Sequence, residues 1–213
     1  MTKPVTDLLS YVRQPAMRLH TRTQLITEPA VEPVSLGEAR EHLRVTHNEE
    51  DAVISALITA ARVTVETVTR RSFITQTWRL YLDQFPLERG IKIPHTPVQS
   101  IVHVKYYDEN GAQQTLPAGD YWLDSVSAPA RLSLREAKDW ADTEADRPNS
   151  VEITYLAGYG SAPTQVPAPI RHAIKLLVAH LYENPDIVNA GQLSTIPMSI
   201  DYLLAPYRVI SFF

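Results

Sequence analysis

The glycines of "YLAGYGSAPTQVPAPI", Tyr155–Ile170, are the first residues whose spacing invites chemistry. Gly158 and Gly160 follow an apolar alternating run and precede a helical pattern, where α/β enzymes cradle phosphate with backbone amides. A dinucleotide or phosphate loop needs its glycines directly at a helix N-terminus, and the P-loop also needs a Lys-Ser/Thr pair. Here Gly160 lies nine residues before Pro169 and no such pair follows, so the stretch reads as a corner between strand and helix. Seven histidines raise the question of a metal. His42 and His47 straddle a helix break, His172 and His180 stand more than two helical turns apart, and His95 and His103 have no ligand pattern around them. No Gly-x-Ser-x-Gly elbow is present, and the carboxylate pairs Asp120–Asp124 and Asp139–Asp142 fall in polar loops. The reading is therefore of a protein that is not an enzyme, with no catalytic residue, metal or cofactor.

Composition narrows the partners. The chain has 213 residues, 44% hydrophobic and 21% charged, the balance of a globular protein with ample material for a core. It has no cysteine, which fits a reducing compartment or a robust particle component. No window approaches the run of about eighteen uncharged apolar residues that spans a membrane, and the first twenty residues lack the apolar core of a signal peptide. The net charge is -4 and no basic stripe is present, so tight phosphate gripping of nucleic acid is not expected. A surface that DNA slides past is compatible with that charge.

The elements that must hold these residues can be read from periodicity. Residues 1–22 read as a mobile polar arm, and "LITEPAVEP" as extended chain held open by prolines. Ser35 and Glu38 form a capping box, with Leu36, Ala39 and Leu43 on one face behind it. Asn48 is the expected cap of a second, long amphipathic helix, with Glu49, Glu50 and Asp51 in its first turn, that keeps its period to about Arg71. From Phe73 the period becomes two, in "TQTWRLYLD" and then six further short runs ending with "SVEITYL"; Asn110-Gly111 marks a hairpin. A third helix follows Pro169 and stops at Asn184-Pro185. The expected class is α+β: a three-helix bundle, an antiparallel β sandwich or barrel-like insert between its second and third helices, and an extended C-terminal tail. The corresponding boundaries are 1–22 for the arm, 23–74 and 165–192 for the bundle, 75–164 for the insert and 193–213 for the tail. Tyr106, Tyr107, Tyr121, Trp122 and Trp140 crowd the insert, as core or as interface. The tail, "GQLSTIPMSIDYLLAPYRVISFF", is apolar to its end, so it either folds back on the core or inserts into a partner.

Taken in order, "LITEPAVEPVSLGEAREHLRV", "EEDAVISALITAAR", "TQTWRLYLDQFP", "YLAGYG…VPAPIRHAIKLLVAHLYENPD" and "LLAPYRV" resemble the head–tail connector (adaptor) family of tailed bacteriophages, which has relatives in prophages and gene transfer agents. The resemblance covers about residues 23–210. It implies a homo-oligomeric ring beneath the portal vertex, a dodecamer matched to twelvefold symmetry, with DNA passing unbound through the channel. It implies as partners the portal protein and a stopper or tail-side neck protein, with no membrane, in the virion neck after assembly in the host cytoplasm. Carried over residue by residue, Leu203, Leu204, Pro206, Tyr207 and Arg208 become portal-contact candidates, and Phe212 and Phe213 join them from the apolar end. A stopper or tail-completion protein is the nearest alternative, and a small enzyme or ligand-binding module using the β insert is the more distant one.

Overall fold

A computed structural model describes residues 21–184 and 197–210. The first helix, α1 (Leu36–Leu43), starts as the capping box requires: the Glu38 amide donates to Ser35 Oγ at 3.2 Å and the Ser35 amide donates to Glu38 Oε2 at 3.0 Å. It ends on Arg44 in the left-handed conformation. The long helix α2 (Asp51–Thr69) begins two residues later than expected, and Asn48 supplies not a side-chain cap but a carbonyl that accepts from the Asp51 amide at 3.3 Å. Its inner face, Ile54, Ile58, Ala61 and Val65, is buried, and Arg70 in the left-handed conformation closes it. A third helix, α3 (Ala168–Glu183), carries Pro169 in its first turn and buries Ile170, Ala173, Ile174, Leu177 and Val178.

The strands form two antiparallel sheets. The larger has the order β1–β2–β8–β4–β5, built from Thr21–Thr27, Gln76–Leu82, Val151–Ala157, Val98–Tyr107 and Gln113–Leu116 respectively. The smaller has the order β3–β7–β6, from Gly90–Ile93, Ala130–Leu134 and Tyr121–Asp124. Their facing residues, among them Leu80, Ile91, Val104, Leu132 and Ile153, make one shared apolar core. The Asn110-Gly111 hairpin joins β4 to β5, with Gly111 at a φ of 75° and Asp108 Oδ1 accepting from the Asn110 and Ala112 amides.

The α+β class is as expected, and two features of the arrangement differ from the sequence reading. Strand β1 comes from before α1 and pairs with Thr77 to Leu82 of β2, so the strand module is assembled from both sides of the first two helices. A fourth helix, α4 (Met198–Leu204), lies in the segment expected as an extended tail. Ile200 and Leu204 enter the same apolar core as α1, α2 and α3, so among the described residues four helices share it where three were expected.

Between the two cores runs a buried ionic junction. Arg62, 5% exposed, donates from Nε to Glu32 at 2.8 Å and from Nη1 to Glu66 at 2.8 Å. The other oxygen of Glu66 accepts from the Phe73 amide at 2.8 Å and from Gln76 Nε2 at 2.7 Å. Burial alone would lower the Arg62 guanidinium, but the carboxylates of Glu66 and Glu32 raise it, so it stays charged between them. The carboxylate of a helix residue thereby fixes where the chain leaves α2 and enters β2.

Candidate functional site

The glycine corner is closed to ligands by its own backbone. The Gly158 amide donates to the Pro97 carbonyl at 2.9 Å and the Tyr159 amide to the Phe73 carbonyl at 2.8 Å. The Gly158 carbonyl accepts from Gln99 Nε2 at 2.8 Å, and the Gly160 carbonyl from the Thr75 amide at 2.9 Å. Gly158 has a φ of 134°, and a Cβ there would lie 2.6 Å from the Ile74 backbone, so glycine is required by the close passage of two chain segments. These groups hold a strand-to-helix corner together and leave no phosphate cradle.

The histidines are not gathered into a ligand set; among the described residues no three His, Cys, Asp or Glu side chains converge on a metal position. One approach that spacing did not reveal is His42 to His172, edge to face at 6.2 Å across α1 and α3. His95 stacks flat on Trp78 at 3.7 Å, and burial pushes its imidazole down to about 4. A groove of about 660 Å³ beside it is lined by apolar side chains, including Leu80, Leu82, Ile91 and Val209, and by as many polar ones, including Thr21, Thr23, Arg70 and Glu88.

The aromatic residues of the strand module mostly serve its own packing. Phe85 stacks on Trp140 at 4.7 Å and meets Tyr106 edge-on, and Trp140 Nε1 donates to the Glu88 carbonyl. Tyr121 is buried, and Tyr107 carries the Arg147 guanidinium at 3.5 Å. Trp122 is 60% exposed beneath Arg135.

The acidic turn before α2 is engaged within the chain. Glu49 contacts His47 at 2.9 Å and is the most exposed of the three acids. Glu50 accepts from Tyr182 Oη on α3, and Asp51 faces Arg40 of α1 at 3.3 Å. These contacts tie the N-terminus of α2 to both neighbouring helices.

The C-terminal segment is seated on the helical core through a combination of side chains and main chain. Leu204 is 0% exposed and Ile200 1%, so Leu204 is a core residue rather than part of a surface. Leu203 and Tyr207 are half-buried, packed against that core, while Pro206 and Arg208 are exposed, the latter paired with Asp201. Two main-chain bonds finish the seat: Arg71 Nε donates to the Tyr207 carbonyl at 2.6 Å, and the Val209 amide donates to the Thr69 carbonyl at 3.1 Å. Met198, Tyr202 and Ile210 remain more than 70% exposed. Phe212 and Phe213 lie outside the described residues. Arg71 and Thr69 were not legible as partners of the tail, since the contacts join positions well over a hundred residues apart and have no local pattern.

Residues 33–116 match the family described as phage gp6-like head-tail connector protein. No curated protein sequence matches the chain. Among solved structures, a chain in "Neck of empty GTA particle computed with C6 symmetry" superposes with a TM-score of 0.75 at 22% identity, covering 90% of this chain and 97% of that one. A chain in "Virion of native gene transfer agent (GTA) particle" gives 0.75 at 23% identity, with the same coverage. A chain in "Neck of native GTA particle computed with C12 symmetry" gives 0.72 at 23%, again with that coverage. At these identities the structures speak to the fold, and together with the family match they support a structural neck or connector role. The family that residues 33–116 match is thus the one that the sequence resembles, a family of phage head-tail connector proteins.

Proposed function

We propose that the chain is the adaptor of a phage-type neck: a closed ring of identical subunits, twelve by the symmetry of the portal, that sits beneath the portal and continues the DNA channel toward the tail. The observation that carries this reading is the conjunction of a connector-family match over residues 33–116 with a fold shared over nine tenths of the chain with a gene transfer agent structure. A ring needs head-to-tail contacts that close. A wall past which DNA slides should not hold phosphates, which suits the net charge of -4. Glu49, the most open of the acidic turn, is the leading channel-facing candidate, with Glu50 and Asp51 behind it bracing the helices. The portal-contact surface is Leu203, Pro206, Tyr207 and Arg208, continued by Phe212 and Phe213; Leu204 serves it from below as the anchor.

On this reading the protein sits in the virion neck, after assembly in the host cytoplasm, with a stopper or tail-side protein on its far face. Mixing the purified chain with portal-bearing capsids and imaging the particles tests this. An added ring at the vertex is the expected result. Binding to tail tubes and not to capsids favours a stopper or tail-completion protein, and binding to neither defeats the neck reading.

A further inference from the structure

The outward face of α2 is unlike the rest of the surface. Ala52, Val53, Ala56, Ala60, Val63 and Thr67 are all exposed, Val53 and Val63 by 55% and 49%. With Ser55 and Thr59 they cover roughly 160° of the helix circumference at its usual rotation per residue, and none is charged. In a chain with 21% charged residues this is a marked depletion, and α3 turns His172 and Glu183 outward by contrast. Glu66 falls within the same arc by position, but its carboxylate is turned inward onto Arg62, the Phe73 amide and Gln76.

Three hydroxyls on and beside this face, those of Thr59, Thr64 and Thr67, are engaged within the chain. Thr64 donates to the Ala60 carbonyl and Thr67 to the Val63 carbonyl, each at 2.8 Å, and Thr59 donates to Glu32. What Thr64 and Thr67 offer outward is a methyl group. Small side chains with satisfied hydroxyls permit close, dry packing of a second surface.

We infer that this face of α2 is the dry centre of the contact between adjacent copies of this chain in its ring. The inference rests on the ring reading given above. A 19-residue helix is about 28 Å long and about 10 Å wide, a strip of roughly 300 Å². That is about a third of the roughly 800 Å² that each partner contributes to a stable contact, so neighbouring residues supply the rim. In a closed ring every copy buries the face once, which explains why no charge protects it. A lipid surface fits less well. Although α2 is long and apolar enough to cross a membrane, its inner face belongs to the core and holds the Arg62 ion pairs, and its exposed arc lacks the lysines and arginines that border interfacial helices.

The absence of cysteine makes the test clean. Full-length chain carrying Ala60→Cys, labelled with a polarity-sensitive dye, is followed by native mass spectrometry and fluorescence as concentration rises, alone and on portal-bearing capsids. The label is expected to move to an apolar environment as rings form. Ala56→Glu/Ala60→Glu is expected to cut the assembled fraction at least tenfold while the circular dichroism of the monomer stays unchanged. If that variant unfolds, single Ala56→Lys carries the same comparison. Rings that form with the label still in water, or equally well from the glutamate variant, overturn the inference and leave the ring reading standing. Binding of wild-type chain to anionic phospholipid vesicles with burial of the label overturns it in favour of a membrane. Absence of rings under every condition defeats the ring reading itself and this inference with it.

Discussion

Truncating Leu204 to alanine empties part of the helical core and is expected to cost about 2–5 kcal/mol, seen as a lower Tm. Tyr202→Ala, at a 74% exposed position on the same short helix, should stay within about 0.5 kcal/mol of wild type. The pair separates anchor from surface by thermal denaturation alone. His95 gives a pH-dependent counterpart. Its imidazole is held at about 4 by burial against Trp78, so the folded chain favours the neutral form. That contribution is complete above about 6.5 and is lost as pH falls toward 4, at up to about 1.4 kcal/mol per pH unit. Burial also lowers His42 and His103, so His95→Phe, which keeps an aromatic ring beside Trp78, should flatten the profile in part and not wholly. Denaturant midpoints across pH 4–7 would check it. None of this was readable from the residues as letters: a leucine at helical spacing in a tail and a histidine in a strand region carry no mark of what will cover them.

At the scale of elements, the clearest signals were those made by neighbours in sequence. Ser35 and Glu38 announced α1, and Ser35→Ala should lower stability by about 1 kcal/mol, measurable by urea denaturation. The same Glu38 also receives Arg171 from α3, a second tie that spacing gave no hint of. Periodicity placed α2 and α3, each with one buried stripe, and short runs bounded by Pro, Gly, Asn or Asp placed seven strands. Strand β1 escaped assignment as a strand because six of its seven residues are exposed, which leaves no alternation to detect. Helix α4 escaped because it has only seven residues and follows a proline, too short for a period to establish itself.

For the whole molecule, the consequence is that the C-terminal segment has two parts with different effects. Removing residues 198–213 uncovers the positions of Ile200 and Leu204 and should lower Tm by the equivalent of several kcal/mol. Replacing Met198, 73% exposed in the same segment, by alanine should change stability by no more than about 0.5 kcal/mol. Differential scanning fluorimetry of the truncation and the substitution distinguishes the two parts. Deletion of the entire segment is therefore a poor probe of docking, since it damages the fold as well. The seat joins main-chain groups of Tyr207, Val209 and Thr69 to the buried side chains of Ile200, Leu204 and Val209, and leaves Met198, Tyr202, Pro206 and Arg208 outside it. Such a socket lets lineages exchange the outward side chains of the terminal stretch while its trajectory is inherited, so recognition of a new mating surface can evolve without renegotiating how the chain gets there.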